Sequence, residues 1–146
     1  MTEIEDGLRR VAELGAREHW LAVLVTMRPD GEPSTSVVNA GVLPHPTTGE
    51  PVVALVSRGG TAKLRNLAGH PRATLVFRAG WEWISVSGPA EVVGPAVGAE
   101  ALRLLLRDVY HAAGGVHPDL EEYDRVMVED RRVAVLVTPE RFAVNP

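Results

Sequence analysis

Apolar and polar positions follow two rhythms along this chain, and the rhythm changes where the elements change. Over residues 3–16, Ile4, Leu8, Val11, Ala12 and Leu14 fall near one stripe at helical spacing, which predicts a short amphipathic helix. Residues 20–28 are a β-rich run that ends in Pro29-Asp30-Gly31-Glu32. Proline presets φ there and glycine accepts positive φ, so a turn is expected, with 33–43 pairing back as the second strand of a hairpin. Residues 44–50 read as another turn and 51–57 as a third strand, giving an antiparallel meander.

Gly59-Gly60 interrupts the strand pattern, and 61–70 reads as a helix closed by Gly69 and Pro71. On its wheel Leu64, Leu67 and Ala68 share the face expected to be buried, Lys63 and Asn66 lie along one flank, and Arg65 lies on the other. Strands at 72–78 and 81–93 form a second hairpin across Ala79-Gly80. Over 98–112, Ala101, Leu102, Leu105, Leu106 and Val109 recur at helical spacing. After Gly114-Gly115, Asp119 is placed to cap a helix reaching residue 129. A strongly β segment at 132–137, a Thr138-Pro139 break and a short strand at 141–144 complete the chain. Six or seven strands with three or four inserted helices, without βαβ alternation, predict a mainly β protein built on a closed or partly closed antiparallel barrel. No linker or repeat appears, so residues 1–146 are expected to form one domain.

Composition narrows the function. A chain of 146 residues, 45% hydrophobic and 23% charged, is long enough to bury a real core and too apolar for intrinsic disorder. With no cysteine, disulfides, thiolate zinc sites, iron–sulfur clusters and a cysteine nucleophile are all excluded. A formal charge of −4 disfavours a nucleic-acid partner, because such binding draws on clustered cations. The start, Met1-Thr2-Glu3-Ile4-Glu5-Asp6, lacks a signal-peptide pattern, and no apolar run approaches the roughly 20 residues that span a bilayer. A cytoplasmic protein without a membrane partner is expected. Of the 15 cationic side chains, Lys63 is the only lysine, which singles out its position.

GxSxG, GxxxxGK[ST], HExxH and GxGxxG are all absent, and the five histidines show no metal-ligand spacing. Hydrolytic and metal-dependent chemistry therefore have no support. Ser57-Arg58-Gly59-Gly60-Thr61-Ala62-Lys63-Leu64-Arg65-Asn66-Leu67 is more informative. A strand end, a glycine break and a helix start put backbone N–H donors at a cationic corner, the geometry that binds anions; an ordinary capped helix fits the same spacing. In Trp81-Glu82-Trp83-Ile84-Ser85-Val86-Ser87, a strand would put Trp81, Trp83, Ser85 and Ser87 on one face, suiting a planar ligand, a subunit interface or core packing. The small polar residues of Ser34-Thr35-Ser36-Val37-Val38-Asn39-Ala40-Gly41 let a flat ring approach the backbone, or mark an exposed edge strand.

Taken in order, the strand Leu21-Ala22-Val23-Leu24-Val25-Thr26 with its Pro29-Asp30-Gly31 turn and Pro33, then Ser57, Ala62-Lys63-Leu64-Arg65-Asn66-Leu67, Pro71-Arg72-Ala73, the Trp81 strand with Ala90-Glu91-Val92, and the late Asp130-Arg131-Arg132-Val133 carry a resemblance. The chain resembles the pyridoxamine 5′-phosphate oxidase-like split β-barrel group within the flavin/deazaflavin oxidoreductases, and in particular their B-type actinobacterial branch. The resemblance implies a homodimer with cofactor sites in the grooves between subunits, and coenzyme F420, a 5-deazaflavin, rather than FMN. It further implies that Ser57, Arg58, Thr61, Lys63 and Asn66 surround the cofactor's phosphate end. Ser36, Val37, Val38 and Asn39 would line its rings, and Trp81 of the second copy would close the pocket. Two positions depart from the pattern: Thr61 stands where relatives often carry a cation, and Ala40-Gly41 where they can carry bulkier groups, leaving a wider ring pocket. An oxidoreductase that uses F420 as hydride carrier for a small organic substrate is the reading that follows. An FMN-dependent enzyme of the same fold, or a non-catalytic flavin or tetrapyrrole carrier, are the alternatives.

Overall fold

Two of the strands are too long for a single partner. The computed structural model describes residues 2–146, with helices α1 (Glu3–Arg17), α2 (Ala62–Gly69), α3 (Ala99–Ala112) and α4 (Leu120–Glu129). The strands are β1 (Leu21–Met27), β2 (Pro33–Pro44), β3 (Pro51–Ser57), β4 (Arg72–Ala79), β5 (Glu82–Val93), β6 (Val133–Val137) and β7 (Arg141–Val144). β2 and β5 run for 12 residues each, about twice the usual strand. The first part of β2 pairs with β1, ending at Leu21↔Asn39, and the second part pairs with β3 from Ala40↔Leu55. β5 pairs with β4 as far as Pro89 and with β6 from Ala90. Because β1 also pairs with β4 and β3 with β6, the order β4-β1-β2-β3-β6-β5 closes on itself through β4–β5. The result is a six-stranded antiparallel split barrel, two half-sheets sharing β2 and β5, with β7 added beside the first half of β5.

The alternation read from the sequence sets what each strand buries. Ala22, Leu24 and Thr26 of β1, Leu75 and Phe77 of β4, and Ile84 and Val86 of β5 point into the barrel with Val53, Leu55, Val135 and Val137. β3 and β6 are buried on both faces. Val52, Ala54, Ala134 and Leu136 point outward into a second cluster, under Leu105, Leu106 and Val109 of α3 and Tyr123 of α4. This double burial explains why 133–137 reads as an unbroken apolar run rather than an alternating one. α1 buries Leu8, Val11 and Leu14 against the barrel, with Thr2 capping its first turn.

Tyr123 fastens the outer cluster. Its hydroxyl donates to the Leu106 carbonyl at 3.0 Å, joining α4 to α3. Burial, reinforced by the neighbouring Tyr110, pushes its phenol up to about 12 from an ordinary value of 10.0. A raised folded-state value means that the neutral phenol is favoured in the folded chain. The corresponding stability is complete below pH 10 and is lost as pH rises toward about 12. Tyr123→Phe is therefore expected to lower stability at neutral pH and to flatten its decline between pH 10 and 12, as measured by urea unfolding across that range.

The structure corrects the sequence reading in two places. Ala79 pairs with Glu82, so the hairpin turn is Gly80-Trp81 rather than Ala79-Gly80, with Gly80 at φ 63. A two-residue hairpin turn needs positive φ at its first position, which glycine supplies. Trp81 is thereby moved off the strand face that holds Trp83, Ser85 and Ser87, and is 94% exposed at the tip. In α2, Ala68 is exposed, while Asn66 is buried beside Leu67 and Leu64 packs on the core. The expected helix–strand boundaries otherwise hold, and the short 3-10 turn Pro95–Val97 was not foreseen. Among the described residues no helix is long and apolar enough to cross a membrane.

Candidate functional site

The end of β3, the start of α2 and the middle of β2 meet at one depression of about 330 Å³. The topology brings them there because β2 and β3 are neighbours in the barrel and the Arg58–Thr61 loop turns back over their ends. Val37, Val38, Asn39, Ser57, Arg58, Thr61 and Lys63 all line it, so seven of the residues singled out in the sequence share one cavity. Arg132, Tyr110, Val56, Val109 and Ala113 complete the wall.

One end of this cavity is cationic. Arg58, Lys63 and Arg132 face it, and the nearest carboxylate, Asp130, contacts Arg58 at 3.5 Å and Arg132 at 3.3 Å. Three cations against one anion leave positive charge in excess. Lys63 has no ion-pair partner among the described residues. α2 starts at the same end. Thr61 occupies its N-cap, but the hydroxyl makes no capping bond and lies 3.3 Å from the Ser57 hydroxyl instead. The first-turn amides are thus left without a side-chain cap, at the positive end of the helix dipole. Ser57 is 2% exposed, and its hydroxyl donates to the Arg58 carbonyl, which holds the loop against the strand end. The other end is apolar, formed by Val37, Val38, Val56 and Val109.

Asn39 orients rather than floats. Its amide donates to the carbonyls of His19 at 2.9 Å and Ala113 at 3.1 Å, tying the α1–β1 connection to the end of α3 beside the cavity. Three sequence candidates lie elsewhere. Ser36 is on β2, on the same strand face as Val38, but lies one step farther from the β3 end of the strand and does not line the depression. Trp81 stands at the β4–β5 tip. Asn66 is buried, lines a depression on the far side of α2, and donates to the Thr26 hydroxyl at 3.2 Å. Thr26 is itself 1% exposed, so the pair satisfies two groups that have no water to turn to. Asn66→Ala is expected to cost about 1–3 kcal/mol by leaving that hydroxyl unpaired. A smaller loss is expected when Thr26→Val accompanies it; a double-mutant cycle by urea unfolding reads both.

Arg132 and Tyr110 were missed as cavity residues. Neither carries a local motif: α3 and β6 reach the cavity only through the fold. The one available signal was Asp130-Arg131-Arg132, an acid beside two cations just before a strand.

The chain matches the family model described as pyridoxamine 5′-phosphate oxidase over residues 10–144. Among solved structures it is similar to a conserved hypothetical protein from Mycobacterium tuberculosis, with 22% identity, TM-score 0.69, and coverage of 99% of this chain and 84% of that one. It is similar to an F420 reductase at 22% identity and TM-score 0.57, covering 87% of this chain and 91% of the other. A pyridoxamine 5′-phosphate oxidase-related, FMN binding protein from Nostoc punctiforme matches at 10% identity and TM-score 0.67, over 99% of this chain and 84% of that one. At these identities the likeness to the solved structures is one of fold.

Proposed function

Because the chain belongs to the pyridoxamine 5′-phosphate oxidase family, we propose that it is a flavin-type oxidoreductase that uses the deazaflavin coenzyme F420 to reduce a small organic substrate. The single observation that carries this reading is the cavity beside α2, cationic at one end and apolar at the other. That donor set fits a phosphorylated planar group: a phosphate suits the uncapped helix start with its lysine and arginines, and a flat ring suits the valines. The bound deazaflavin supplies two electrons as hydride. Lys63, Arg58 and Arg132 would balance the phosphate charge, with the first-turn amides of α2 as further donors, while the Ser57 and Thr61 hydroxyls brace the loop through their own contacts. Val37, Val38 and Val56 give the ring an apolar wall, and Asn39 ties that wall to the end of α3 through Ala113 and to the α1–β1 connection through His19.

The same reading makes the protein a homodimer. The outer face of β1 exposes Leu21 (46%) and Val23 (39%), and Val37 beside them is 69% exposed. Val37 and Val76 flank Val23 in register, so an apolar row crosses three strands and ends at the cavity. Exposed apolar rows of this kind mark association surfaces. A second copy seated there would bring its own surface over the cavity mouth, with Trp81 as the side chain free to cover it. Membership of the B-type actinobacterial branch and a cytoplasmic location belong to this proposal as well.

The FMN alternative is favoured by one finding, the likeness to an FMN binding protein. Titration of the purified chain with F420, FMN and NADPH, followed by stopped-flow oxidation of whichever reduced cofactor binds, separates the readings. F420 binding with turnover supports the proposal. FMN binding alone, with the yellow colour of that cofactor, assigns the alternative. Binding without turnover across quinones, biliverdin and nitroaromatics assigns a carrier.

A further inference from the structure

A second cavity, larger than the first, lies between α3 and α4 on the other side of Arg132. Its volume is about 500 Å³, within the range of small-molecule sites. Pro95, Ala99, Leu102, Leu106, Met127 and Val128 make the wall predominantly apolar. Its acids are already neutralised, Glu100 by Arg103 and Asp124 by Arg103 and Arg107. The Arg107 and Arg103 guanidiniums hold the Asp124 carboxyl below the usual carboxylate range, so this frame stays charged near neutral pH. Arg132 is bound to Asp130.

Arg131 is the exception. Among the charged groups lining the cavity it alone has a side chain with no hydrogen bond or ion pair to the described residues. Its backbone lies at φ 52, a left-handed conformation, at the residue just after Asp130, the C-cap of α4. The N–H groups of Arg131 and Arg132 close back on the carbonyls of Val128 at 3.1 Å and Met127 at 2.9 Å, a helix ending in which glycine is favoured. An arginine in that position accepts backbone strain; its side chain lines the apolar cavity, and its uncompensated guanidinium reaches toward Gly60, 3.8 Å from where a Cβ on that residue would lie.

We propose that this cavity binds a small amphipathic carboxylate, with its apolar body between α3 and α4 and its carboxylate on Arg131. Two features define the ligand. The wall has no unsatisfied polar group to pair with a polar body, and the one surplus charge is a cation suited to a planar carboxylate. The proposal does not rest on the cofactor assignment, which concerns the other cavity, although Arg132 borders both.

Octanoate and octanol, titrated calorimetrically into the full chain, are the probes. Octanoate is expected to bind once per chain, and to bind roughly tenfold or more weakly to Arg131→Gly, while octanol binds both alike. Arg131→Gly removes the guanidinium and relieves the left-handed strain together, so its Tm is expected to rise, which separates lost affinity from lost fold. Val128 is 78% exposed at the cavity wall, so Val128→Trp fills the space without touching the core and is expected to abolish binding of both probes. No octanoate binding to the natural chain, or equal octanoate affinity in Arg131→Gly, overturns the proposal. A change of oligomeric state in Val128→Trp also overturns it, because the groove would then belong to a second copy.

Discussion

Gly88→Ala is expected to destabilise the protein by about 3 kcal/mol or more, seen as a fall in Tm on the order of 10 °C. A Cβ at residue 88 would sit 1.8 Å from the Thr138 carbonyl oxygen, a backbone atom that has no rotamer to escape into. The position is one where the barrel has little slack. β5 leaves β4 for β6 between Pro89 and Ala90, and the chain after β6 crosses at the same point. Two bonds hold that crossing, Thr138 N–H to the Pro89 carbonyl and Glu140 N–H to the Ser87 carbonyl, both at 2.9 Å. Making room for a methyl group pulls on both. The matching position on the other long strand behaves alike: a Cβ at Gly41 would meet the Ala112 carbonyl carbon at 2.3 Å, where α3 crosses β2. Gly69→Ala is the control. Nothing lies within 4 Å of its Cβ, and it is the last residue of α2, so a neutral or slightly stabilising effect is expected. Equal Tm in Gly88→Ala and Gly69→Ala would show that the strand crossings yield more readily than their geometry indicates.

Lys63→Ala carries the second large effect, on binding rather than folding. If the cationic end of the first cavity holds a phosphate, removing the only lysine deletes a charged hydrogen bond worth about 1.5–3 kcal/mol, or roughly 10- to 150-fold in affinity. Lys63 is partly exposed and has no ion-pair partner among the described residues, so its loss leaves no buried charge behind and the unfolding midpoint is expected to hold. Arg132→Ala tests the residue that only the structure revealed. It is expected to weaken the same ligand, and to leave Asp130 with Arg58 as its remaining partner. The salt dependence of binding should be shallower in both variants, since fewer charges meet the phosphate. Calorimetric titration with F420 and FMN at two ionic strengths reads these effects. Unchanged affinity in Lys63→Ala would remove the phosphate assignment while leaving the fold and the family intact.

Much of this molecule was legible in its residue order, for reasons that are local. Strand alternation, the Pro-Asp-Gly turn, the Asp119 cap and the glycine break before α2 each depend on neighbours a few positions apart, and those interactions survive into the fold. The same holds for the cationic corner: Ser57, Arg58, Thr61 and Lys63 lie within seven residues, so one strand end and one helix start bring them together. Where the sequence misled, a long-range partner decided. Asn66 was placed on a flank facing ligand, and Thr26, 40 residues away, turned its amide inward. Trp81 was placed on a strand face, and the Ala79↔Glu82 register moved it to an exposed tip. Arg132 and Tyr110 reach the cavity because the barrel closes through β4–β5 and α3 packs over β3 and β6. Arg131 owes its strained conformation to the way α4 ends against β6. Short-range chemistry is written into consecutive residues; which groups share a cavity depends on contacts between elements far apart in the chain, and these exist only once the barrel has closed.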